Sequence, residues 1–524
     1  MVQQKKSSKE ITDTLHSPQA GIYFYDDFML DRAVQVERIY FKPKRLSEIY
    51  YDPDFNLTYP VVHWCPEIEK YRSWYEIIYN QKTKEKGDYF LLALAESDDA
   101  VHWVPGNNCG STDPMAKEIP RVVYSGLGEV HGAYVMRDEQ ESNPAWRYKC
   151  SGASARNRNL IHSDCIVAVS PDGIHWDELQ HALRWGLSSS DTNNCMFYNK
   201  VRNVYQIIHR AAMTDRRIHS TTSSDLINWS PPELIIHPDP FDPPCCQLYG
   251  MSVYPANGIF MGILYVYHTD MFEPCGQRLK GYQTMELIYS YDGSHWNRTH
   301  QTLFDQREYP SPEAGNIYVT GMDLNKDGSQ LLLTCICQNN EHGLPDWSSE
   351  KRQRMGMGMY SIRPDGFVGL RSVGQASLET KAIRVMTPGL FLNINACMGK
   401  VEVQLTDWDE TPIPGYTFEE NIPCSENSLE YSVKWKDKDM SDLVGRIVRI
   451  QIRMNTAILY AIHGFFNPHH AAVAQESIGN PKPVFDGLTK NPDKKWWLKK
   501  TELSTEVFNS SKRQPSYDFR SFDL

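Results

Sequence analysis

The chain has 524 residues and a formal net charge of −11. With 41% hydrophobic and 23% charged residues, its composition is that of a globular protein large enough for two or three domains. Negative charge without a basic stripe argues against a nucleic-acid partner, and no segment approaches the roughly 18 apolar residues that a membrane span requires.

The start of the chain predicts a polar N-terminal arm over residues 1–20. Its lysines are not followed by an apolar stretch, so no secretory signal is expected. The 12 cysteines are scattered, without a disulfide framework and without the CxxC spacing of a zinc site. We therefore expect a cytoplasmic protein with reduced thiols and with no metal or other cofactor.

The first predicted strand is aromatic, GIYFYDDFMLD from Gly21, and it carries Asp26 and Asp27. Two further β-rich segments follow, EIYYDPDFNLTYPVVHW with Trp64 near its end, and YRSWYEIIYN. The strand FLLALAES then leads into a short phrase, SDDAVHW, which ends at Trp103 and recurs along the chain.

This phrase reads Ser-x-Asp, three residues, then Trp, and it returns as SPDGIHW, SSDLINW and SYDGSHW, with a degenerate fifth copy, RPDGFVG. An apolar or β-branched run precedes each full copy, and the Asp and Gly residues favour a tight turn. Repeats about 50 to 70 residues apart suit the four-stranded blades of a β-propeller. We therefore interpret the aspartates as turn residues and the tryptophans as packing residues, and predict five blades within residues 21–372. The aspartates, with separations of 73, 53, 67 and 73 residues, are Asp99, Asp172, Asp225, Asp292 and Asp365.

The character of the sequence changes after Ser372. Residues 376–467 alternate apolar and polar in short runs such as KVEVQLTD and RIVRIQIRM, which predicts an antiparallel β-sandwich. Residues 468–524 are rich in Pro, Lys, Asn and Ser and predict an extended tail. The predicted fold class is thus all-β, a five-bladed propeller followed by a C-terminal antiparallel β-sandwich.

The innermost strands of a propeller line a central funnel, where side chains from different blades converge. Acids near the starts of the first three units are Asp26 or Asp27, Asp138 and Asp191; the fourth unit offers Gln247 and Tyr249, and the fifth Glu313 and Asp323. Carboxylates that converge in this way suit cleavage of a glycosidic bond, which uses one ionised carboxylate and one protonated donor.

Five units followed by a sandwich resemble the propeller glycosidases, in particular glycoside hydrolase family 32, with families 43 and 68 as relatives. Arg137-Asp138 resembles that family's Arg-Asp-Pro motif, with Glu139 in place of Pro, and Asp191 lies 53 residues on, where the family has a Glu-Cys motif. FYDDFML corresponds by order to the family's Trp-x-Asn-Asp-Pro segment but lacks its Trp and Asn. The segments DDF, RYK, QLYGM and DGFVGL are also similar to those of bacterial proteins with this layout.

The resemblance implies a carbohydrate substrate. It implies Asp27, or Asp26, as nucleophile or base, Asp138 as the orienting carboxylate and Asp191 as the proton donor. Other candidates for substrate binding are Asp26, Trp64, His131, Arg137 and Tyr249. Structural alternatives are an ion pair of Asp138 with a neighbouring arginine, a β-bulge or cap for Asp26 or Asp27, an Asx turn for Asp191, and core packing for the ring side chains and His131.

Three hypotheses about function follow. The first is a glycoside hydrolase that resembles family 32 β-fructofuranosidases and cleaves a furanoside or a short oligosaccharide. The second is a carbohydrate-binding propeller without catalysis, suggested by the missing Glu and Pro. The third is a glycosyltransferring or phosphorolytic relative with a phosphate pocket, for which Arg156, Arg158, His209 and Arg210 are candidates.

Overall fold

The computed structural model describes residues 19–79, 89–108, 110–126, 129–154, 164–179, 190–210, 216–243, 245–269, 281–305, 308, 311–342, 355–436 and 438–468. These residues form 30 strands and three short 3₁₀ helices, which confirms the all-β class. None of the described helices is long and apolar enough to cross a membrane. The predicted tail and nearly all of the predicted arm lie outside the described residues.

The chain divides into two compact units. The propeller unit comprises Tyr23–Tyr25 and Arg38–Leu370, and the C-terminal unit comprises Met1–Ile22, Asp26–Glu37 and Arg371–Leu524. The first four strands are β1 (Gln19–Tyr23), β2 (Leu30–Val34), β3 (Glu37–Tyr40) and β4 (Lys44–Arg45).

The propeller has five blades, as predicted, and each blade is one antiparallel sheet whose first strand is followed by its neighbours in order. Blade I contains β5 (Leu57–Cys65), β6 (Lys70–Tyr79), β7 (Tyr89–Ser97), β8 (Val104–Pro105) and the additional strand β9 (Val122–Tyr124). Blade II contains β10 (His131–Arg137), β11 (Tyr148–Ser154), β12 (Asp164–Ser170) and β13 (Asp177–Glu178). Blade III contains β14 (Cys195–Asn199), β15 (Val204–His209), β16 (Ile218–Ser223) and β17 (Glu233–Ile236).

Blade IV contains β18 (Gln247–Ala256), β19 (Ile259–Thr269), β20 (Gly281–Ser290) and β21 (Asn297–Thr302). Blade V is built from distant parts of the chain. Its strands β22 (Asn316–Leu324), β23 (Leu331–Gln338) and β24 (Met355–Ile362) come from the end of the propeller sequence, whereas its outermost strand is β4. Arg45 pairs with Tyr360 and Lys44 with Ser361, so the beginning and end of the propeller sequence close the ring.

The repeated phrase forms a turn, as the sequence predicts. In the second copy, one carboxylate oxygen of Asp172 accepts hydrogen bonds from the backbone N–H groups of Ile174 and His175, both at 2.9 Å, and Ser170 donates to the same oxygen at 3.2 Å. Equivalent backbone bonds form at Asp99, Asp225 and Asp292. The turn requires a positive φ after the Asp, and where no glycine is present, Ala100 and Leu226 adopt φ of 62° and 65°.

The same turns join neighbouring blades. The indole N–H of Trp74 in blade I donates to the carbonyl of Gly173 in blade II at 2.7 Å, and a Cβ at Gly173 would lie 2.4 Å from that ring. In blade III, Asn199 and Gln206 donate at 2.8 Å to the carbonyls of Asp292 and Gly293 in the turn of blade IV. Each full copy thus connects the third strand of its blade to the fourth, and the copies in blades II and IV also bond the preceding blade.

The C-terminal unit is built on a nine-stranded sheet. It contains β1, β2, β3, β25 (Val368–Thr380), β26 (Ile383–Val385), β27 (Phe391–Asn395), β28 (Lys400–Asp407), β29 (Asn427–Ser432) and β30 (Ile447–Pro468). Strand β30 pairs with β28 up to Asn455 and with β27 from Ile458, and Thr456 between these ladders has a φ of 50°. Strand β2 pairs antiparallel with β25, β27 with β29 and β30, and β28 with β30, whereas β26 pairs parallel with β30; the two-layered sandwich stays a prediction.

The boundaries differ from the sequence assignment at the start of the chain. The segment from Gly21 was assigned to the first blade, but residues 26–37 belong to the C-terminal unit, where β2 pairs with β25 through Ala33 and Leu378. The first blade begins at Leu57. Sequence order alone could not show this, because the early strands complete sheets whose other strands come from much later in the chain.

Candidate active site

The innermost strands of the five blades begin at one end of the funnel, and residues at their starts come together there. His131 is the first residue of β10, Tyr249 the third of β18, and Asp191 lies four residues before β14. Blades II and III are joined at this point by a hydrogen bond of 2.9 Å from the Asn194 N–H to the Gly132 carbonyl.

Asp191 is the carboxylate of this cluster that remains partly open, with 47% of its side chain exposed. One of its oxygens lies 3.1 Å from His131 Nε2, and the other accepts from Arg210 Nη2 at 3.1 Å. Arg210 Nη2 also donates to the Asp191 backbone carbonyl at 2.6 Å. The side chain is therefore fixed from two sides.

His131 connects Asp191 to a second carboxylate, Glu76, whose side chain is fully buried. His131 Nδ1 lies 3.1 Å from one Glu76 oxygen, and the other Glu76 oxygen accepts from the Ala133 N–H at 2.5 Å. The ring of Phe90 packs on His131 with centroids 3.9 Å apart. The imidazole is thus held between two acids in a buried environment.

These contacts determine the charge of His131. Burial would lower its pKa, but the charge of Glu76 and hydrogen bonds to Asp191 and Glu76 outweigh it and raise the pKa to about 10. Asp191 therefore has a protonated imidazole on one side and the Arg210 guanidinium on the other. Opposite charges at this distance favour the ionised carboxylate, which suits a base, a nucleophile or a group that orients sugar hydroxyls. The role of proton donor, predicted from the sequence, would instead require surroundings that keep the acid protonated.

The raised pKa of His131 predicts how the stability of the fold depends on pH. The ordinary pKa of histidine in an unfolded chain is about 6.5, so the stabilisation is complete below that pH and is lost as the pH rises through about 10. We expect the free energy of unfolding to fall by roughly 2–4 kcal/mol between pH 7 and pH 10.5 on account of this group. Urea unfolding at several pH values in this range measures the change, and the free energy of unfolding of a His131→Gln variant should depend less on pH. The same pH dependence in both proteins would contradict the raised pKa of His131.

An aromatic and cationic group continues the site towards blade IV and blade V. The Arg210 guanidinium lies 4.5 Å from the centre of the Tyr249 ring, and Arg210 Nη1 donates to the Tyr249 carbonyl at 3.2 Å. The Tyr249 hydroxyl lies 3.2 Å from His342 Nε2, and the Tyr267 hydroxyl lies 3.0 Å from His342 Nδ1. Arg216 contacts both tyrosine rings at 5.4 Å. Both tyrosine rings are buried, with 7% of Tyr249 and 0% of Tyr267 exposed, so this group positions the guanidinium groups and offers a ligand hydrogen-bonding groups.

Of the predicted site residues, the structure brings three together: Asp191, His131 and Tyr249. Asp138 lies just beyond the last residue of β10, at the opposite end of the strand from His131. It is 5% exposed, and its carboxylate accepts from Lys149 Nζ at 3.0 Å and from the Tyr205 hydroxyl at 2.9 Å. The structural alternative of an ion pair is thus present, with Lys149 as the partner.

Arg137 and Trp64 also lie at that far end of the inner strands. Arg137 donates to Glu67 at 3.0 Å and to the Tyr148 hydroxyl at 3.3 Å. The Trp64 ring packs against Tyr71 with centroids 4.9 Å apart. Neither residue is brought to Asp191.

Asp26 and Asp27 lie in the C-terminal unit, in the turn between β1 and β2. Asp26 accepts a hydrogen bond from the Phe28 N–H at 2.8 Å, and the Asp27 carbonyl accepts from the Leu30 N–H at 2.9 Å. Their predicted part in a shared site with Asp191 stays a prediction.

The buried ion pair at Asp138 yields a prediction about stability. Lys149 is fully buried and bonds Asp138 at 3.0 Å and Glu141 at 3.1 Å. Replacing it with methionine leaves Asp138 buried without its cation, so we expect the free energy of unfolding to fall by about 3–5 kcal/mol. In the double variant Lys149→Met/Asp138→Asn, much of the lost free energy of unfolding, measured with urea, should be recovered. A Lys149→Met protein as stable as the parent would show that the pair is not important to the fold.

Sequence reasoning missed Glu76 and Arg216 as members of the site, and considered Arg210 only for a phosphate pocket. Glu76 sits inside the strand YRSWYEIIYN, where a single acid among apolar residues signals a buried partner. This signal indicates that Glu76 has a buried partner but does not identify it, because His131 lies 55 residues away in the sequence.

Among the described residues, one group has the composition of a metal site: Asp239, Asp242 and His300. Arg298 already occupies it, since Nη2 donates to Asp242 at 2.8 Å and Nη1 lies 3.4 Å from Asp239. A guanidinium in this position satisfies the acids without an ion.

No protein-family model matches the chain, and no curated protein matches it significantly. Several solved structures resemble it. An N-acetylgalactosamine deacetylase from F. plautii, in complex with blood group B trisaccharide, has a TM-score of 0.42 at 14% identity and covers 64% of this chain and 96% of its own. A thermostable family-43 glycoside hydrolase has a TM-score of 0.38 at 12% identity, with coverages of 61% and 95%. The β-1,2-mannobiose phosphorylase from Listeria innocua has a TM-score of 0.39 at 10% identity and covers 61% of this chain and 94% of its own.

The structures similar to this chain thus include glycoside hydrolases, the kind of protein that the sequence resembles. Family 32 itself stays a resemblance. Likeness at this level carries no information about activity, and the residues around Asp191 are the evidence for function.

Proposed function

We propose that the chain is a glycosidase that cleaves a furanoside or a short oligosaccharide at the funnel end occupied by Asp191. The observation that supports this most directly is the half-exposed Asp191 carboxylate held between His131 and Arg210. A carboxylate fixed in this way is one of the two groups that glycosidic cleavage needs.

In this proposal Asp191 is the ionised group, acting as nucleophile or as base for water. His131 and Arg210 keep it charged and orient it, and Glu76 holds His131 in place from the buried side. The buried Tyr249 ring packs against the Arg210 guanidinium and helps to hold it beside the reacting carboxylate. The departing sugar oxygen needs a proton, and His342, whose Nε2 lies 3.2 Å from the Tyr249 hydroxyl, is a partly exposed side chain in this cluster that can carry one.

Carbohydrate binding without catalysis is the alternative at the same site, since the Asp191 carboxylate and the hydrogen-bonding groups beside it alone suit sugar hydroxyls. A cytoplasmic location is also part of the proposal, and it is supported by the ten described cysteines, all of which are free. Small glycosides would then be expected in preference to polymers.

The test is a screen of the purified full-length chain against furanosides, neutral oligosaccharides and sugar glycosides that carry a carboxylate, with released reducing sugar as the readout. Release from at least one class, abolished by Asp191→Asn, supports the proposal. Sugar binding measured by calorimetry without any release would favour the non-catalytic alternative.

A further inference from the structure

One cation at the site has no role in the proposed cleavage. Arg216 lies just before β16 and contacts the rings of Tyr249 and Tyr267, each with the guanidinium carbon 5.4 Å from the ring centre. Its Nη1 donates to the Gln247 side chain at 2.8 Å. Within the part of the chain that the structure describes, no carboxylate pairs with it.

This distinguishes Arg216 from its neighbour in the site. Arg210 has its charge balanced by Asp191 at 3.1 Å. Both guanidinium groups lie against the same tyrosine ring, so the uncompensated charge of Arg216 is next to the residue that flanks the reacting carboxylate. Burial and the charge of Asp191 raise the pKa of the Tyr249 phenol, and the charges of Arg210 and Arg216 oppose that rise.

The orientation of Arg216 also suits a ligand. A guanidinium that packs against two aromatic rings and bonds a neighbouring side chain has restricted motion, which reduces the entropy lost when it bonds an anion. One nitrogen is used by Gln247, and the remaining donors of the group are those that bind carboxylate and phosphate oxygens in pairs.

We propose that Arg216 forms an oxyanion subsite beside Asp191, which binds a carboxylate or phosphate group on the substrate or on a co-substrate. The inference builds on the proposed function in taking the principal ligand to be a sugar. Two sources fit the shared chemistry: a uronic acid unit in the glycan, or inorganic phosphate. In the second case, a phosphate oxygen replaces the leaving oxygen at the anomeric carbon, and the proton of the phosphate passes to that leaving oxygen.

The experiment measures binding of glucuronate and of inorganic phosphate to the full-length chain by calorimetry, with no turnover involved. We expect at least one of the two to bind the parent protein, and Arg216→Gln to weaken that binding at least 10-fold. The matched control is Arg202→Gln, which removes the same charge from an exposed turn between β14 and β15, where Arg202 bonds Ser294 at 2.6 Å. It should bind the anion as the parent does.

Failure of both anions to bind, or equal binding by the parent and Arg216→Gln, would overturn the subsite. An equal loss of anion affinity in Arg216→Gln and Arg202→Gln would also overturn the subsite, because the anion would then respond to the net charge of the protein and not to a specific site. If Arg216→Gln does not fold by circular dichroism, Arg216→Lys replaces it, with an expected loss of at least threefold because lysine lacks the planar fork; parent-like affinity in that variant overturns the proposal.

The two sources separate in the activity assay. Cleavage of neutral glycosides that requires phosphate and yields a sugar phosphate indicates phosphate as co-substrate. Cleavage restricted to uronate-bearing glycosides, without phosphate, indicates an acidic sugar. Anion binding that depends on Arg216 in a protein that cleaves no glycoside would leave the subsite standing and refute the proposed function.

Discussion

Replacing Asp191 with asparagine should lower kcat/KM on any glycoside that the protein cleaves by about 10²–10⁴-fold. Asparagine keeps the shape of the side chain but removes the negative charge that faces His131 and Arg210 at 3.1 Å each, and its one amide oxygen replaces two accepting oxygens. The loss should appear mainly in kcat, because the charge matters most as positive charge develops on the sugar in the transition state.

The matched control for this variant is Asp225→Asn. Asp225 belongs to the same blade, but its carboxylate caps an exposed turn through the N–H groups of Ile227 and Asn228. That variant should retain activity within a factor of about two, with at most a modest loss of stability from the weakened cap. Full activity of Asp191→Asn would remove Asp191 from the chemistry.

Replacing Gly132 with alanine should be among the most destabilising single changes in the propeller. Gly132 has a φ of 63°, and a Cβ there would lie 1.7 Å from the backbone oxygen of Thr192, which cannot be accommodated without moving the chain. We expect the free energy of unfolding to fall by more than about 4 kcal/mol. Because Gly132 follows His131 directly, any protein that still folds should also lose activity.

Gly328→Ala separates the two causes of that loss. Gly328 has a similar φ of 72°, but a Cβ there would meet nothing within 4 Å. It should therefore lose only the cost of a left-handed alanine, about 1–2 kcal/mol. Similar losses in the two variants, compared by urea unfolding, would show that the contact with Thr192 can relax.

The sequence predicted the propeller because its signal is local and repeated. A Ser-x-Asp turn can be recognised from seven residues, and the structure shows each such Asp capping its own backbone. The spacing of the phrases then defines the number of blades. Asp191 was found for a related reason, since it immediately precedes the inner strand of its blade.

The rest of the site depends on contacts that are distant in sequence. His131 is the first residue of β10 and Asp138 directly follows its last, and only the structure shows that the His131 end of the strand meets Asp191. Glu76 lies on the second strand of blade I, and Arg210 directly follows the second strand of blade III. The sequence pattern of these strands does not show which side chains face the funnel. Segment 26–37 was placed in the first blade because its later partner, β25, could not be inferred from sequence order.

The pairing of β4 with β24 has a consequence for biosynthesis. Residues 44–45, made near the beginning of translation, have no place to dock until residues 360–361 have left the ribosome. The ring can therefore close only after about 300 further residues have been added, and until then β4 has no partner strand and the fifth blade lacks its outermost strand. A nascent chain of this kind is expected to depend on chaperones, and fragments shortened at either side of the propeller should be recovered as aggregates.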